Sequence, residues 1–299
     1  MRKQRRRRSR ALVGIVAAAT ALGVAGCDVV GGSSGSADGG RTRASRAVQL
    51  WDRSPASIAA VGDSITRGFD ACTVLSDCPE VSWATGTSEQ VESLAVRLLG
   101  RARAADRSWN YAQTGARMAD LSGQLADAVV RRPELVTVMV GSNDACRSSV
   151  RAMTSVANFR SQFEEALGTL RKALPKTQVY VASVPNLKRL WSEGRTNPLG
   201  KQIWKLGICP SMLGDADDLT SAATLRRDRV QQRVEDYNKV LAEVCAKDRR
   251  CRFDGGAVYQ YRFGTEQLSH WDWFHPSTDG QSKLAAIAYR TVTAEGPVD

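Results

Sequence analysis

A three-layer α/β/α sandwich around a central parallel sheet is the fold the sequence predicts, on three observations. Short apolar runs alternate with helix-periodic segments from Ser57 onward, the pattern of strands joined by crossover helices. Leu135–Val140 (LVTVMV) is an almost unbroken apolar run, as strands buried on both faces of a parallel sheet are. The first three runs are each followed by a polar, glycine-bearing loop: Gly62-Asp63-Ser64, Gln113-Thr114-Gly115 and Gly141-Ser142-Asn143-Asp144. In such folds these loops open on the carboxyl edge of the sheet, where ligands bind.

Element by element, Ser57–Gly62 reads as the first strand. Ser88–Ala104 places Val91, Leu94, Ala95, Leu98 and Leu99 on one face of a helix. Trp109–Ala112 reads as the second strand, and Met118–Arg132 as a helix with Leu121, Leu125 and Val129 at fourfold spacing. Leu135–Val140 is the third strand, Phe159–Leu174 a helix and Gln178–Val184 a fourth strand. From Pro185 to about Thr220 the period is lost. Trp191, Pro198, Trp204, Cys209 and Pro210 mark that segment as an ordered, disulfide-pinned excursion. Helix returns over Ala222–Ala246, with Val230, Val234, Tyr237, Leu241 and Val244 in register, and the last helix is Gly280–Val292. No internal repeat is visible.

The N-terminal region reads differently. MRKQRRRRSR holds six arginines and one lysine, and the apolar run Ala11–Val24 follows. That run is short of the roughly 20 residues a bilayer span needs; a basic region before a short apolar one reads as an export signal. Val24-Ala25-Gly26-Cys27 resembles the bacterial lipobox, in which the cysteine is lipidated and becomes the new N-terminus. Residues 1–26 are therefore expected to be a signal peptide and Cys27 a lipidation site. Residues 27–50 form a flexible Gly/Ser-rich tether, and 51–299 one domain. No good match to the full twin-arginine motif follows the arginines. Gly31–Gly35 (GGSSG) fits the nucleophile-elbow pattern, but an elbow needs a strand before it and a helix after it, and this stretch offers neither.

The formal charge of +11 falls to +4 when residues 1–26, with seven basic residues and no acid, are set aside. With no aromatic-interleaved basic stripe, nothing points to a nucleic-acid partner. Setting Cys27 aside leaves Cys72, Cys78, Cys146, Cys209, Cys245 and Cys251, an even set that in an exported chain implies three disulfides. Several pairings are open. Neighbour pairing (Cys72–Cys78, Cys146–Cys209, Cys245–Cys251) is preferred because two of these pairs close short loops. No C-x-x-C occurs, which removes a zinc-ribbon or thioredoxin-like reading.

A serine nucleophile needs a base and a group that orients the base. The chain has two histidines, His270 and His275, both in SHWDWFHPS. Asp272 precedes His275 by three residues, a spacing that puts both on one face of a helical turn; His270 is less favourably spaced and is expected to wall the cleft or to support the residues that do. Trp271 and Trp273, flanking Asp272, are expected to line or roof the cleft. His270, Asp272 and His275 lack a third histidine or a spare cysteine pair, so no metal and no cofactor are expected.

Four blocks in order now resemble those of the GDSL or SGNH hydrolases: Gly62-Asp63-Ser64 with Ile-Thr after it, the glycine of Asn110-Tyr-Ala-Gln-Thr-Gly115, Gly141-x-Asn143-Asp144, and Asp272-x-x-His275. The resemblance covers roughly Ser57 to Ala288 and implies the SGNH-hydrolase, flavodoxin-like sheet. It implies Ser64 as nucleophile, His275 as base and then acid, and Asp272 as the group that orients His275. The oxyanion hole would be the backbone N–H groups of Ser64 and Gly115 and the side-chain amide of Asn143. Six cysteines and the long excursion look like the secreted bacterial lipase and esterase branch. The implied activity is extracytoplasmic ester hydrolysis through an acyl-enzyme, as a lipase or carboxylesterase. A carbohydrate O-deacetylase, or a non-catalytic surface lipoprotein that binds glycan or lipid, stands as the alternative. The expected partners are a small-molecule or lipid ester and, through the lipid anchor, the outer face of the cell membrane, with the protein a monomer.

Overall fold

The strand expected from Ser57 begins one residue later in the computed structural model, which describes residues 51–297. The expected signal peptide, lipidated Cys27 and tether lie outside the described residues. Strand β1 (Ile58–Gly62) is buried at every position, as is β3 (Leu135–Met139). They pair in parallel from Ile58↔Leu135 to Gly62↔Met139. With β2 (Ser108–Asn110), β4 (Gln178–Val181) and β5 (Cys251–Phe253) they form a parallel sheet of order β2-β1-β3-β4-β5. This is the flavodoxin-like order, in which the chain reverses its direction of travel between β1 and β3 and opens a crevice at their carboxyl ends. The sequence reading misses β5: three residues are too few to show a period. It also carries the fourth strand to Val184, whereas pairing ends at Val181.

Helices follow the strands. α1 (Ser64–Arg67) comes straight off β1. The helix expected over Ser88–Ala104 is two helices, α2 (Leu94–Leu99) and α3 (Arg101–Arg107). Ser93 caps α2 by accepting from the Val96 N–H, and Gly100, at φ +77°, breaks the path between them. The segment expected as Met118–Arg132 opens with a 3₁₀ turn, Met118–Asp120, before α4 (Leu121–Val129). α5 (Ser142–Ala145) and α6 (Val156–Ala173) follow β3. The excursion folds as α7 (Leu187–Gly194), α8 (Pro198–Trp204) and α9 (Pro210–Leu213). α10 (Ser221–Ala246), α11 (Ala257–Gln260) and α12 (Thr278–Thr293) complete the set.

Helices α4, α6 and α10 pack together on one face of the sheet, and α2 and α12 cover the other. The apolar stripes explain the choice. α6 buries Phe159, Phe163, Ala166, Leu167 and Leu170, and Phe159 stacks on Tyr237 of α10 at 4.0 Å between ring centres.

The excursion is ordered by a buried cation. Arg227 of α10, 1% exposed, donates at 2.7 Å to the carbonyls of both Asp215 and Asp218 and at 3.2 Å to that of Met212. Its guanidinium lies 4.3 Å from the Trp191 ring centre, the stacking for which arginine is suited. No described helix is long and apolar enough to cross a membrane.

Disulfides join Cys72 to Cys78, Cys146 to Cys209 and Cys245 to Cys251. Cys146–Cys209 ties the loop after β3 to the excursion across 63 residues, while Cys72–Cys78 spans six. On chain-entropy grounds, replacing both Cys146 and Cys209 by Ala costs about 4 kcal/mol and the same change at Cys72 and Cys78 about 2 kcal/mol. Urea unfolding of the two double variants checks the ordering.

Candidate active site

The site begins with a close approach of two strands. A Cβ on Gly62 would lie 2.1 Å from the Met139 carbonyl oxygen, and the residue sits at φ +145°. Only glycine allows this contact and this turn. Gln124 clamps the same peptide from α4, accepting from Gly62 N–H at 2.7 Å and donating to Gly62 C=O at 2.9 Å. The chain then leaves the sheet. Asp63 caps α1 through Ile65 N–H at 3.0 Å, which sets Ser64 at the first helical position. Gln281 of α12 accepts from Trp83 N–H and donates to Ile65 C=O, both at 2.9 Å, and so holds the far side of that turn.

The segment Ser269–Ser277 brings Asp272 and His275. Ser269 N–H donates to His275 C=O and Trp273 N–H to Ser269 C=O, each at 2.8 Å, closing a tight loop in which Trp273 takes φ +54°. Inside it, Asp272 Oδ1 accepts the N–H groups of Phe274 and His275, both at 2.9 Å. Asp272 Oδ2 lies 2.5 Å from His275 Nδ1, and His275 Nε2 lies 2.8 Å from Ser64 Oγ. With Nδ1–H donating to the carboxylate, Nε2 is free to accept the Ser64 O–H. Trp204 of α8 donates to Asp272 C=O at 2.7 Å, so the excursion braces this loop from behind.

Electrostatics fit the geometry. Asp272 is 0% exposed. Burial opposes its charge, but the His275 charge and hydrogen bonds, with the two backbone donors, hold its carboxyl below the usual range. Burial likewise disfavours a charged His275, yet the carboxylates of Asp272, Asp70 and Asp63 raise it above the ordinary imidazole range. Asp63 is pushed up to about 7 by burial, which outweighs its bond to Ile65 N–H and the nearby His275; its Oδ2 has no partner among the described residues.

Around Ser64 the other loops are tied together. Gln113 N–H donates to Gly62 C=O at 3.1 Å, and Asn143 Nδ2 donates to Ala116 C=O at 3.0 Å. An amide nitrogen has two hydrogens, so Asn143 keeps one to offer. Asp144 fastens the same loops, accepting from Met118 N–H at 2.9 Å and from Thr154 Oγ1 at 2.7 Å. Among the described residues no acceptor takes the Ser64 or Gly115 N–H. Gly115 sits at φ +83°, and a Cβ there would meet nothing within 4 Å. The requirement for glycine is thus conformational at this position, not the lack of room.

His270 is exposed and lies against Trp271, 4.2 Å between ring centres. Trp273 packs on Gly200 of α8, where an added Cβ would approach its ring at 3.0 Å. Gln124 and Gln281 were missed. Their signal was a polar residue on an otherwise apolar helical face, which a buried position must satisfy with hydrogen bonds. Asp70, Asp272 and His275 bring ligand-type atoms within 4.8 Å of one another. Both ring nitrogens of His275 are engaged by Asp272 and Ser64.

A family model of GDSL-like lipases and acylhydrolases matches residues 58–288. The chain belongs to this family. It is accordingly a hydrolase, and a small-molecule ester is the substrate class the family implies. Among solved structures, an extracellular lipase from Streptomyces rimosus is similar at 18% identity and TM-score 0.44, over 80% of this chain and 99% of that one. Phospholipase A1 from Streptomyces albidoflavus NA297 stands at 17% and 0.44, over 80% and 99%. A family 3 carbohydrate esterase from Clostridium thermocellum stands at 14% and 0.46, over 78% and 93%. At such distances the likenesses say nothing of this GDSL hydrolase's substrate. No curated protein matches it by sequence.

The raised Asp63 has a consequence for stability. Its folded value, about 7, lies above the roughly 3.9 of an unfolded aspartate. The native state therefore binds the extra proton between these limits, and stability falls as pH rises through them. Asp63→Asn, which keeps a capping oxygen and carries no charge, should gain on the parent between pH 5 and pH 8 by on the order of 2 kcal/mol. Urea midpoints at the two pH values read the change.

Proposed function

We propose that this GDSL hydrolase is a serine carboxylesterase or lipase working through an acyl-enzyme, with Ser64 as nucleophile, His275 as base and Asp272 as the group that orients it. The unbroken hydrogen-bonded chain from Ser64 Oγ through His275 to Asp272 carries this reading. Ser64 Oγ attacks the ester carbonyl as its proton passes to Nε2, and the imidazolium is steadied by Asp272. Negative charge on the carbonyl oxygen is met by the N–H groups of Ser64 and Gly115 and by the spare hydrogen of Asn143. The tetrahedral adduct collapses, the alcohol leaves with the proton from Nε2, and Ser64 holds the acyl group. A water, deprotonated by Nε2, then releases the acid and restores the serine.

Residues 51–299 are proposed to be the single catalytic domain. Residues 1–26 are proposed to be a cleaved signal peptide, with Cys27 lipidated and 27–50 a tether to the outer face of the membrane. Three disulfides support an oxidising compartment. A carbohydrate O-deacetylase is the second reading, and one observation favours it. A cavity of about 10 Å³ beside His275, walled by Ile65, Pro185, Leu187, Leu190, Phe263 and Phe274 among others, has room for one water- or methyl-sized group. On the proposal that the acyl group enters there, a longer chain must displace side chains.

A serine-directed fluorophosphonate is expected to label the parent and not Ser64→Ala. On p-nitrophenyl esters from acetate to palmitate, Ser64→Ala and His275→Ala should lose hydrolysis, and Asn143→Ala should lower kcat about 10²- to 10³-fold. Preference for acetate favours the deacetylase and preference for long chains the lipase; hydrolysis independent of Ser64 rejects both. In the parent, kcat/KM should rise with pH as His275 loses its proton, with a midpoint above the ordinary imidazole value of about 6.5.

A further inference from the structure

One buried acid beside the Ser64 site has no part in the chemistry described. Asp70 is 1% exposed and sits at φ +57°, a backbone state aspartate tolerates better than most residues. Its main chain is held on both sides: N–H donates to Ser76 C=O at 3.0 Å, and C=O accepts from Ser269 Oγ at 2.6 Å. Oδ1 accepts from Leu75 N–H. Oδ2 is buried with no partner among the described residues. The loop is closed just beyond by Cys72–Cys78, and Phe69, one residue earlier, sets its ring edge-on to His275 at 5.1 Å. The strained turn thus aims a carboxyl at the catalytic loop. Oxygens of Asp70 and Asp272 and a ring nitrogen of His275 all lie within 4.8 Å of one another.

We propose that Asp70 is a positioning residue of the hydrolytic site, a second carboxyl that backs the Asp272–His275 pair. The proposal rests on the reading of Ser64, His275 and Asp272 as the catalytic chain. Two buried carboxyls this close do not both ionise freely. Asp272 has two backbone donors and the imidazole to stabilise its charge; Asp70 has one backbone donor. The shared proton therefore stays with Asp70, which burial and the Asp272 charge push up to about 6. Above that pH Asp70 adds a second negative charge facing the imidazole. The ionisable groups acting on His275 are Asp272, Asp70 and Asp63, all acidic, and those acting on Asp70 are Asp272 and His275. An ionised Asp70 stabilises the imidazolium, the form His275 takes once it has accepted the serine proton. It raises the pH at which the base becomes available and lowers the barrier to forming the cation.

The test is Asp70→Asn, which keeps the shape and removes the charge. In ester hydrolysis the acid limb of kcat/KM should move down by about one pH unit, and kcat at pH 8 should fall about tenfold with KM little changed. A readout independent of turnover is the ¹⁵N NMR titration of His275 in the Ser64→Ala protein, with and without Asp70→Asn. The His275 midpoint should fall by the same unit. A folded Asp70→Asn protein whose His275 midpoint and acid limb stay where the parent's are overturns the proposal, and so does a loss of kcat with no such shift. Should Asp70→Asn fail to fold, the Ser64→Ala background decides without it. A second inflection in the His275 titration near 6 that persists when Asp63→Asn is added to the Ser64→Ala protein supports the pairing with Asp70, and a single inflection in that double variant overturns it. Failure of the underlying catalytic reading looks different, because Ser64→Ala would then hydrolyse esters like the parent.

Discussion

The site depends on a buried negative charge. Asp272 is shut off from solvent, and taking a carboxylate out of water costs several kcal/mol unless donors replace the lost hydration. Here two backbone N–H groups meet one oxygen and the imidazole meets the other. The fold of Ser269–Ser277 follows from that demand, because its turn exists to aim those two N–H groups inward. The same carboxylate holds the ring of His275 so that its far nitrogen faces Ser64. The ring keeps that orientation only because the charge behind it is solvated by protein.

The sheet supplies the other half of the arrangement. A parallel sheet with order β2-β1-β3-β4-β5 puts the loops after β1, β2 and β3 on one edge, next to each other, although they are far apart in the chain. Rigidity there comes from side chains that bond to main chain. Gln124, Gln281, Asp144 and Asn143 each tie a loop peptide to a neighbouring element. Each is largely or wholly screened from water, where an unpaired polar group is expensive, so each resists the displacement that would leave it unpaired. The excursion α7–α9 is joined to this frame through Trp204 on Asp272, Arg227 beneath its loops, and Cys146–Cys209. It is a brace for the Ser269–Ser277 loop as much as an insertion.

Much of this was legible before any coordinates. The inward-facing apolar stripes of α6 and α10 and the buried runs of β1 and β3 are local patterns, and local patterns are what periodicity reads. The blocks around Ser64, Gly115, Asn143 and His275 announce themselves by residue type, since glycine and serine at strand ends and histidine in a loop are chemically conspicuous. What failed to show was of two kinds. Short elements such as β5 have no period to detect, and a cap at Ser93 with a left-handed Gly100 divides a stretch whose apolar pattern runs on regardless. The partners of Asp70, Gln124 and Gln281 were hidden for a different reason: a polar residue on an apolar helical face marks Gln124 and Gln281 as bonded, but nothing near any of the three in the chain says to what.

By itself, then, the sequence determined the class of fold, the family and the cast of reactive side chains. Each follows from hydrophobic spacing or from residues that few other chemistries require. Only the tertiary structure decided how closely His275 approaches the serine, why Gly115 must be glycine, and that a second acid stands behind Asp272. Those outcomes rest on contacts between segments some 200 residues apart (Asp70 with Ser269, 199 positions on; Ser64 with His275, 211 positions on). The strand order and the packing of loops set such contacts, and no local preference encodes them.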